Sequence, residues 1–148
     1  RFVTTICVPC IGSRMNTLKD VRLLSAQDVA DEQAKLYIFE ADKVIPFPIR
    51  RVFTVHAQEK SRRGRHAHKL CSQALMCLSG VCEVTVDDGA ERKTWRLDDP
   101  SKVLVVPPVL WCEQDYADRG AILMVFCDRE FQESEYIREY ESFLAHRR

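Results

Sequence analysis

Between Ser72 and Cys127 a turn signal interrupts the chain every few residues, and that rhythm restricts the fold more than any other feature of the 148-residue sequence. Ala74 to Leu78 is apolar throughout, as in a strand covered on both faces, and Ser79-Gly80 turns it. Val81 to Asp87 alternates, with Cys82, Val84 and Val86 facing inward. Asp87-Asp88-Gly89 then signals a hairpin, because glycine tolerates the positive φ such a turn needs. Thr94 to Leu97 returns, Asp98 to Ser101 turns again, Lys102 to Val106 is a strand, and Pro107-Pro108 ends it. Leu110 to Glu113 and Ala121 to Cys127 add two more. Short strands so closely spaced predict an all-β antiparallel sandwich or barrel.

Upstream, Val21 to Leu24 and Lys35 to Glu40 read as strands, with a polar, turn-like stretch from Asp28 to Gln33 between them. Pro46-Phe47-Pro48 breaks regular structure, since proline donates no ladder hydrogen bond. Ile49 to His56 then alternates, placing Arg51, Phe53 and Val55 on one face and Arg50, Val52, Thr54 and His56 on the other. The carboxyl end changes period. Tyr136, Ile137, Tyr140, Phe143 and Leu144 form the apolar stripe of one helix packed on the barrel, with Ser134 or Asp128 as its cap. Residues 1–14 have no clear period and Met15 reads as a natural start. The expectation is an N-terminal extension over 1–14 and a single domain over 15–148.

Composition narrows the functional class. Lys plus Arg and Asp plus Glu are equal at 22 each, so no basic excess points to nucleic acid. The longest apolar run, Ala121 to Cys127, is too short to span a bilayer, and the N-terminus lacks a signal core, so a cytoplasmic protein without a membrane partner is expected. Seven cysteines without repeating spacing, most of them inside apolar runs, read as reduced buried thiols. Cys7-Val-Pro-Cys10 has the spacing of half a zinc knuckle, with no second pair downstream.

Chemistry concentrates between Arg62 and Gly80. His66 and His68 stand one residue apart, and on a strand such side chains leave the same face. Both imidazoles would look into one cavity, beside arginines that tune them as base or acid near neutral pH. Strict alternation would send Arg63 and Arg65 away from the histidines unless the chain bends at Gly64. A metal site is the competing reading. It would add Gln73 and Cys112 to the two histidines, and an amide is a poor ligand.

Gly64-x-His66-x-His68 on a strand, Gly80 after it, the Pro107-Pro108 turn and Trp111-Cys112-Glu113 together resemble the cupins, the small jelly-roll barrels also called double-stranded β-helices. More narrowly, the resemblance is to the sugar 3,4-ketoisomerases related to the C-terminal part of WxcM-like proteins. It is carried by Ile49-Arg-Arg-Val-Phe53, Arg63-Gly-Arg-His-Ala-His-Lys69, Leu78-Ser-Gly80, Val86-Asp-Asp-Gly89, Pro107-Pro108 with Trp111, and Tyr136-Ile-Arg-Glu-Tyr140 with Phe143-Leu144. The resemblance implies a homodimer that moves a ketone from C4 to C3 of dTDP-4-keto-6-deoxyglucose, in deoxysugar biosynthesis for a cell-surface polysaccharide, without metal or other cofactor. It implies catalytic roles for His66, His68 and Arg63. Arg51, Thr54, Arg65, Gln73 and Trp111 are the expected substrate contacts, and a threonine stands at 54 where the family implies a tyrosine. Enediol chemistry needs a base, an oxyanion donor and proton return, and His68 is the expected base with His66 as its partner. The alternatives are a nucleotide-sugar-binding cupin without turnover and a metal-dependent cupin enzyme using His66 and His68.

Overall fold

The computed structural model describes residues 14–148. The expected 1–14 extension lies outside them except for Arg14, which pairs with Asp20. Strands β1 (Arg22–Ser25), β2 (Gln27–Ala30), β3 (Lys35–Ile38) and β4 (Arg51–His56) are followed by β5 (Ser61–His68), β6 (Gln73–Ser79), β7 (Cys82–Asp87) and β8 (Arg92–Leu97). Then come β9 (Lys102–Val106), β10 (Trp111–Tyr116), β11 (Ile122–Cys127), the short β12 (Tyr136–Ile137) and helix α1 (Tyr140–His146).

Two five-stranded antiparallel sheets, β1-β9-β6-β11-β4 and β12-β5-β10-β7-β8, face each other, and β2-β3 forms a separate hairpin. From β4 to β11 the chain alternates between the sheets except at the β7–β8 hairpin, the jelly-roll order, so the cupin architecture with a single C-terminal helix is the fold observed. Inward side chains meet between the sheets: Leu75 and Cys77 of β6, Val84 and Val86 of β7, Leu104 of β9, Leu123 and Val125 of β11. The outer face of β6 is covered too. Ala74 and Met76 pack under Ile45 and Phe47, which explains why the strand is apolar on both faces between Ala74 and Cys77.

Two sequence readings change. Asp28 to Gln33 is a turn only in its second half, because Asp28 to Ala30 pair with β3 in a hairpin whose first strand is wholly exposed. Backbone pairing decided that strand, and no apolar pattern announces it. The C-terminal helix is also shorter than its stripe. Tyr136 and Ile137 pair with His68 and Ala67 as an added strand, and the helix begins at Tyr140 with no side-chain cap. Phe143 still packs with Ala67, Trp111 and Ile137 on the outer face of the second sheet.

Strand β5 carries the feature that positions the site. Cys112 pairs with His66 but Glu113 pairs with Gly64, leaving Arg65 as the extra residue of a β-bulge. Gly64 and Arg65 both take left-handed backbone, at φ 77° and 57°. A Cβ on Gly64 would come within 2.8 Å of Gln114 Oε1 and 3.0 Å of the Cys112 carbonyl oxygen. Gly64→Ala is therefore expected to cost about 1–3 kcal/mol of stability, measured as a lower urea midpoint with unchanged slope.

Candidate active site

The bulge resolves the conflict between Arg63 and the histidines. With Arg65 extruded, Arg63 and His66 lie on the same side of β5 although they are an odd number of residues apart. Both line a cavity of about 190 Å³ between the sheets. Phe53 and Val55 of β4, Gln73 of β6, Gln114 of β10, Leu123 and Val125 of β11, and Tyr136 of β12 complete its wall. The chamber is apolar on the β4/β11 side and polar on the β5/β10 side, the distribution expected of a site that buries a small organic ligand and orients it by a few polar groups.

His68 lies behind His66. Their ring centroids are 4.9 Å apart with the planes near perpendicular, and Tyr136 packs on both, at 5.0 Å from His66 and 4.4 Å from His68. His68 is 5% exposed, and its Nδ1 sits 2.7 Å from Glu135 Oε2. The other carboxylate oxygen, Oε1, accepts from the amides of Leu70 and Cys71, both at 2.7 Å. A carboxylate fixed by two amides accepts a proton on Nδ1, which leaves the lone pair of His68 on Nε2. That nitrogen is buried and meets no protein partner.

Burial, aided by the neighbouring positive charge His68 would carry, pulls His66 down to about 4. Burial also lowers His68, although Glu135 opposes it, so both rings are neutral at pH 7 and able to accept a proton. Glu135 itself is held low by His68 and the two amides against the opposing effect of burial. These shifts fix how stability depends on pH. Well above pH 6.5, His66 and His68 are neutral in the folded and in the unfolded chain alike. Between about pH 6.5 and 4 the unfolded chain takes up protons that folded His66 refuses, so stability falls as pH falls through that window. Below it, protonation of Glu135 removes more. Chemical denaturation at stepped pH is expected to show this loss, with much of the pH 4–6.5 portion absent from His66→Asn.

On the far side of Tyr136, Arg51 Nη2 donates to the phenol oxygen at 3.3 Å and to Cys127 Sγ at 3.4 Å, while Gln73 Nε2 reaches the same sulfur at 3.6 Å. Hydrogen bonds from Cys71 first, then from Arg51 and Gln73, pull the Cys127 thiol down against the effect of burial, and Cys71 is driven up in return.

Of the residues singled out by sequence, His66, Arg63 and Gln73 line the cavity, and His68 and Arg51 support residues that do. Three others do not. Thr54 points away from the cavity-lining Phe53 and Val55, and its hydroxyl lies 3.1 Å from His56 Nε2. Arg65 is the exposed bulge residue. Trp111 is 4% exposed and packs against Tyr140 and Phe143, with its indole nitrogen donating to Glu113 Oε1 at 3.0 Å. Cys112, the thiol of the metal reading, lies in the central core, where burial pushes it up to about 12. Sequence reasoning missed Glu135 and Tyr136. The spacing of Tyr136, Ile137 and Tyr140 fits a helical period, and only the return of the chain to β5 places a carboxylate and a phenol at the imidazoles.

Known proteins share this fold and part of this sequence. The chain is 34% identical over 123 residues to the TDP-4-oxo-6-deoxy-alpha-D-glucose-3,4-oxoisomerase of Aneurinibacillus thermoaerophilus, covering 82% of this chain and 88% of that protein. A mutant of the 3,4-ketoisomerase QdtA from Thermoanaerobacterium thermosaccharolyticum, solved with TDP-4-keto-6-deoxyglucose, superposes with a TM-score of 0.84 at 31% identity, over 88% of this chain and 95% of that one. A 3,4-ketoisomerase from Helicobacter canadensis gives 0.82 at 33% identity, over 86% and 96%. Residues 19–148 match the family described as FdtA: WxcM-like, C-terminal, and the chain belongs to that family.

Proposed function

We propose that this chain is a 3,4-ketoisomerase of a nucleotide-linked 4-keto-6-deoxyhexose, with dTDP-4-keto-6-deoxyglucose as substrate. The observation that carries this reading is a pair of uncharged imidazoles at a cavity between the sheets, one on its wall and the other backed by a buried carboxylate, with a phenol and a guanidinium beside them. The relatives named for this reaction support the substrate class.

The reaction moves hydrogen without any external oxidant. A base removes the proton from C3, the C3–H electron pair becomes the C3=C4 bond, and the former carbonyl oxygen at C4 takes a proton. Loss of the O3 proton then forms the C3 carbonyl while C4 accepts a proton. C3 is oxidised by two electrons and C4 is reduced by two. His66 reaches the cavity and His68 does not, which favours His66 as the base, reversing the order expected from sequence. His68, with its Nε2 lone pair, serves as the partner that keeps His66 able to give the proton back. Tyr136 offers the phenol that Thr54 does not, and Arg63 supplies positive charge for the enediolate oxygen. Because Tyr136 restores a proton donor at the site, the geometry favours turnover over mere binding.

The same reading includes a cytoplasmic homodimer serving synthesis of a cell-surface deoxysugar. Five described cysteines are free thiols, which suits a reducing compartment. Strand β4 is a sheet edge with Val52 half exposed and Phe53 37% exposed, a surface that a second copy would cover. Incubation with dTDP-4-keto-6-deoxyglucose in deuterium oxide is expected to give the 3-keto product with deuterium in the ring, seen by NMR. Unlabelled, unconverted sugar that nonetheless binds would sink the catalytic reading.

A further inference from the structure

His68, Cys71 and Glu135 each offer a donor atom within 4.8 Å of the others, and all three are buried, at 5%, 1% and 7% exposure. The isomerase reading has no use for the Cys71 sulfur. Its thiol donates to the Ser72 carbonyl oxygen, at 3.4 Å. An imidazole nitrogen, a carboxylate oxygen and a thiol sulfur thus share one small buried region, a donor set that suits zinc and is too soft for magnesium or calcium.

We propose that His68, Cys71 and Glu135 form an inhibitory binding site for a thiophilic divalent cation of the zinc class, with a fourth position open to water. The charges balance. One thiolate and one carboxylate neutralise a dication, and the imidazole is a neutral ligand. Binding is not a redox event: the Cys71 thiol releases its proton, and the proton on His68 Nδ1 passes to Nε2 as the cation enters between Nδ1 and Glu135. The 2.7 Å contact there opens by about half an ångström, since metal–ligand bonds of about 2.0–2.3 Å set the donors farther apart. Entry is from the cavity, whose wall residue His66 packs against His68. Loaded in this way, His68 carries hydrogen on Nε2 and accepts none, so the cation silences the site.

The silencing rests on the isomerase reading, whereas the binding does not, and the test reads binding. Protein carrying Cys7→Ser and Cys10→Ser, which removes the chain's Cys-x-x-Cys spacing, is titrated with cobalt(II) alone. The expected result is a near-ultraviolet sulfur-to-cobalt charge-transfer band with intense visible bands of a tetrahedral ion, displaced by zinc and largely lost on adding Cys71→Ser. No band at excess cobalt, or a band indifferent to Cys71→Ser, overturns the proposal. Should Cys71→Ser not fold, X-ray absorption at the zinc edge of the parent protein decides: a sulfur neighbour supports the site, and nitrogen and oxygen alone refute it. Isomerisation assayed alongside is expected to fall with zinc and recover with a chelator. Cobalt binding without zinc inhibition would overturn the inhibitory role alone.

Discussion

His66→Asn is expected to lower kcat for 3,4-isomerisation by about 10²- to 10⁴-fold, the usual worth of a general base, while KM and TDP binding stay close to those of the parent. Asparagine keeps a polar group on the cavity wall but has no basic nitrogen, so the loss reports proton transfer rather than shape. Deuterium exchange into the sugar should fall in step with turnover, because removal of the C3 proton precedes every later event. Calorimetry with TDP serves as the binding control. If His66→Asn keeps kcat within about tenfold of the parent and His68→Asn does not, the wall histidine is a bystander and the buried one performs the chemistry.

Glu135→Gln is the second large effect, and it acts through His68. The amide oxygen can still accept from Leu70 and Cys71, but its NH₂ then faces His68 Nδ1 and donates to it. His68 must move its hydrogen to Nε2, the nitrogen that otherwise holds the lone pair. With the amide turned the other way, its NH₂ opposes two backbone N–H groups, leaving buried donors unmet at about 1–3 kcal/mol. A fall in kcat of about 10- to 100-fold is expected, the usual scale for losing a carboxylate that orients a histidine. The diagnostic reading is nitrogen NMR of the His68 ring, which should show the tautomer reversed. Unaltered turnover with a reversed tautomer would remove His68 from the proton path.

Much of the barrel could be read from the residues alone because its strands obey a period of two and its turns carry the chemistry turns require. Lys102–Val106 lies where the Asp98–Ser101 turn and the proline stop put it, and Cys82, Val84 and Val86 face inward as their spacing indicates. His66 was legible for the same reason. Tyr136 and Glu135 were not, since the Tyr136, Ile137 and Tyr140 spacing fits a helix as well as it fits a two-residue strand followed by a helix. Only pairing with β5 separates the two. Trp111 misled for a different cause. Its face of β10 is the outer one, and the helix that covers it cannot be placed on that face from sequence. Arg63 depended on a bulge whose location is set by Gly64, a residue whose meaning emerges only with its partner strand.

That bulge has a further consequence for how the site can change. Sliding β5 along β10 by one step would exchange inside for outside along its whole length, but the kink can sit only where glycine supplies the left-handed backbone. Gly64 therefore acts as an index mark that pins the depth of the imidazoles in the barrel. On one side of the mark stands the guanidinium of Arg63 and on the other the imidazoles, and the kink holds all three in phase with the cavity.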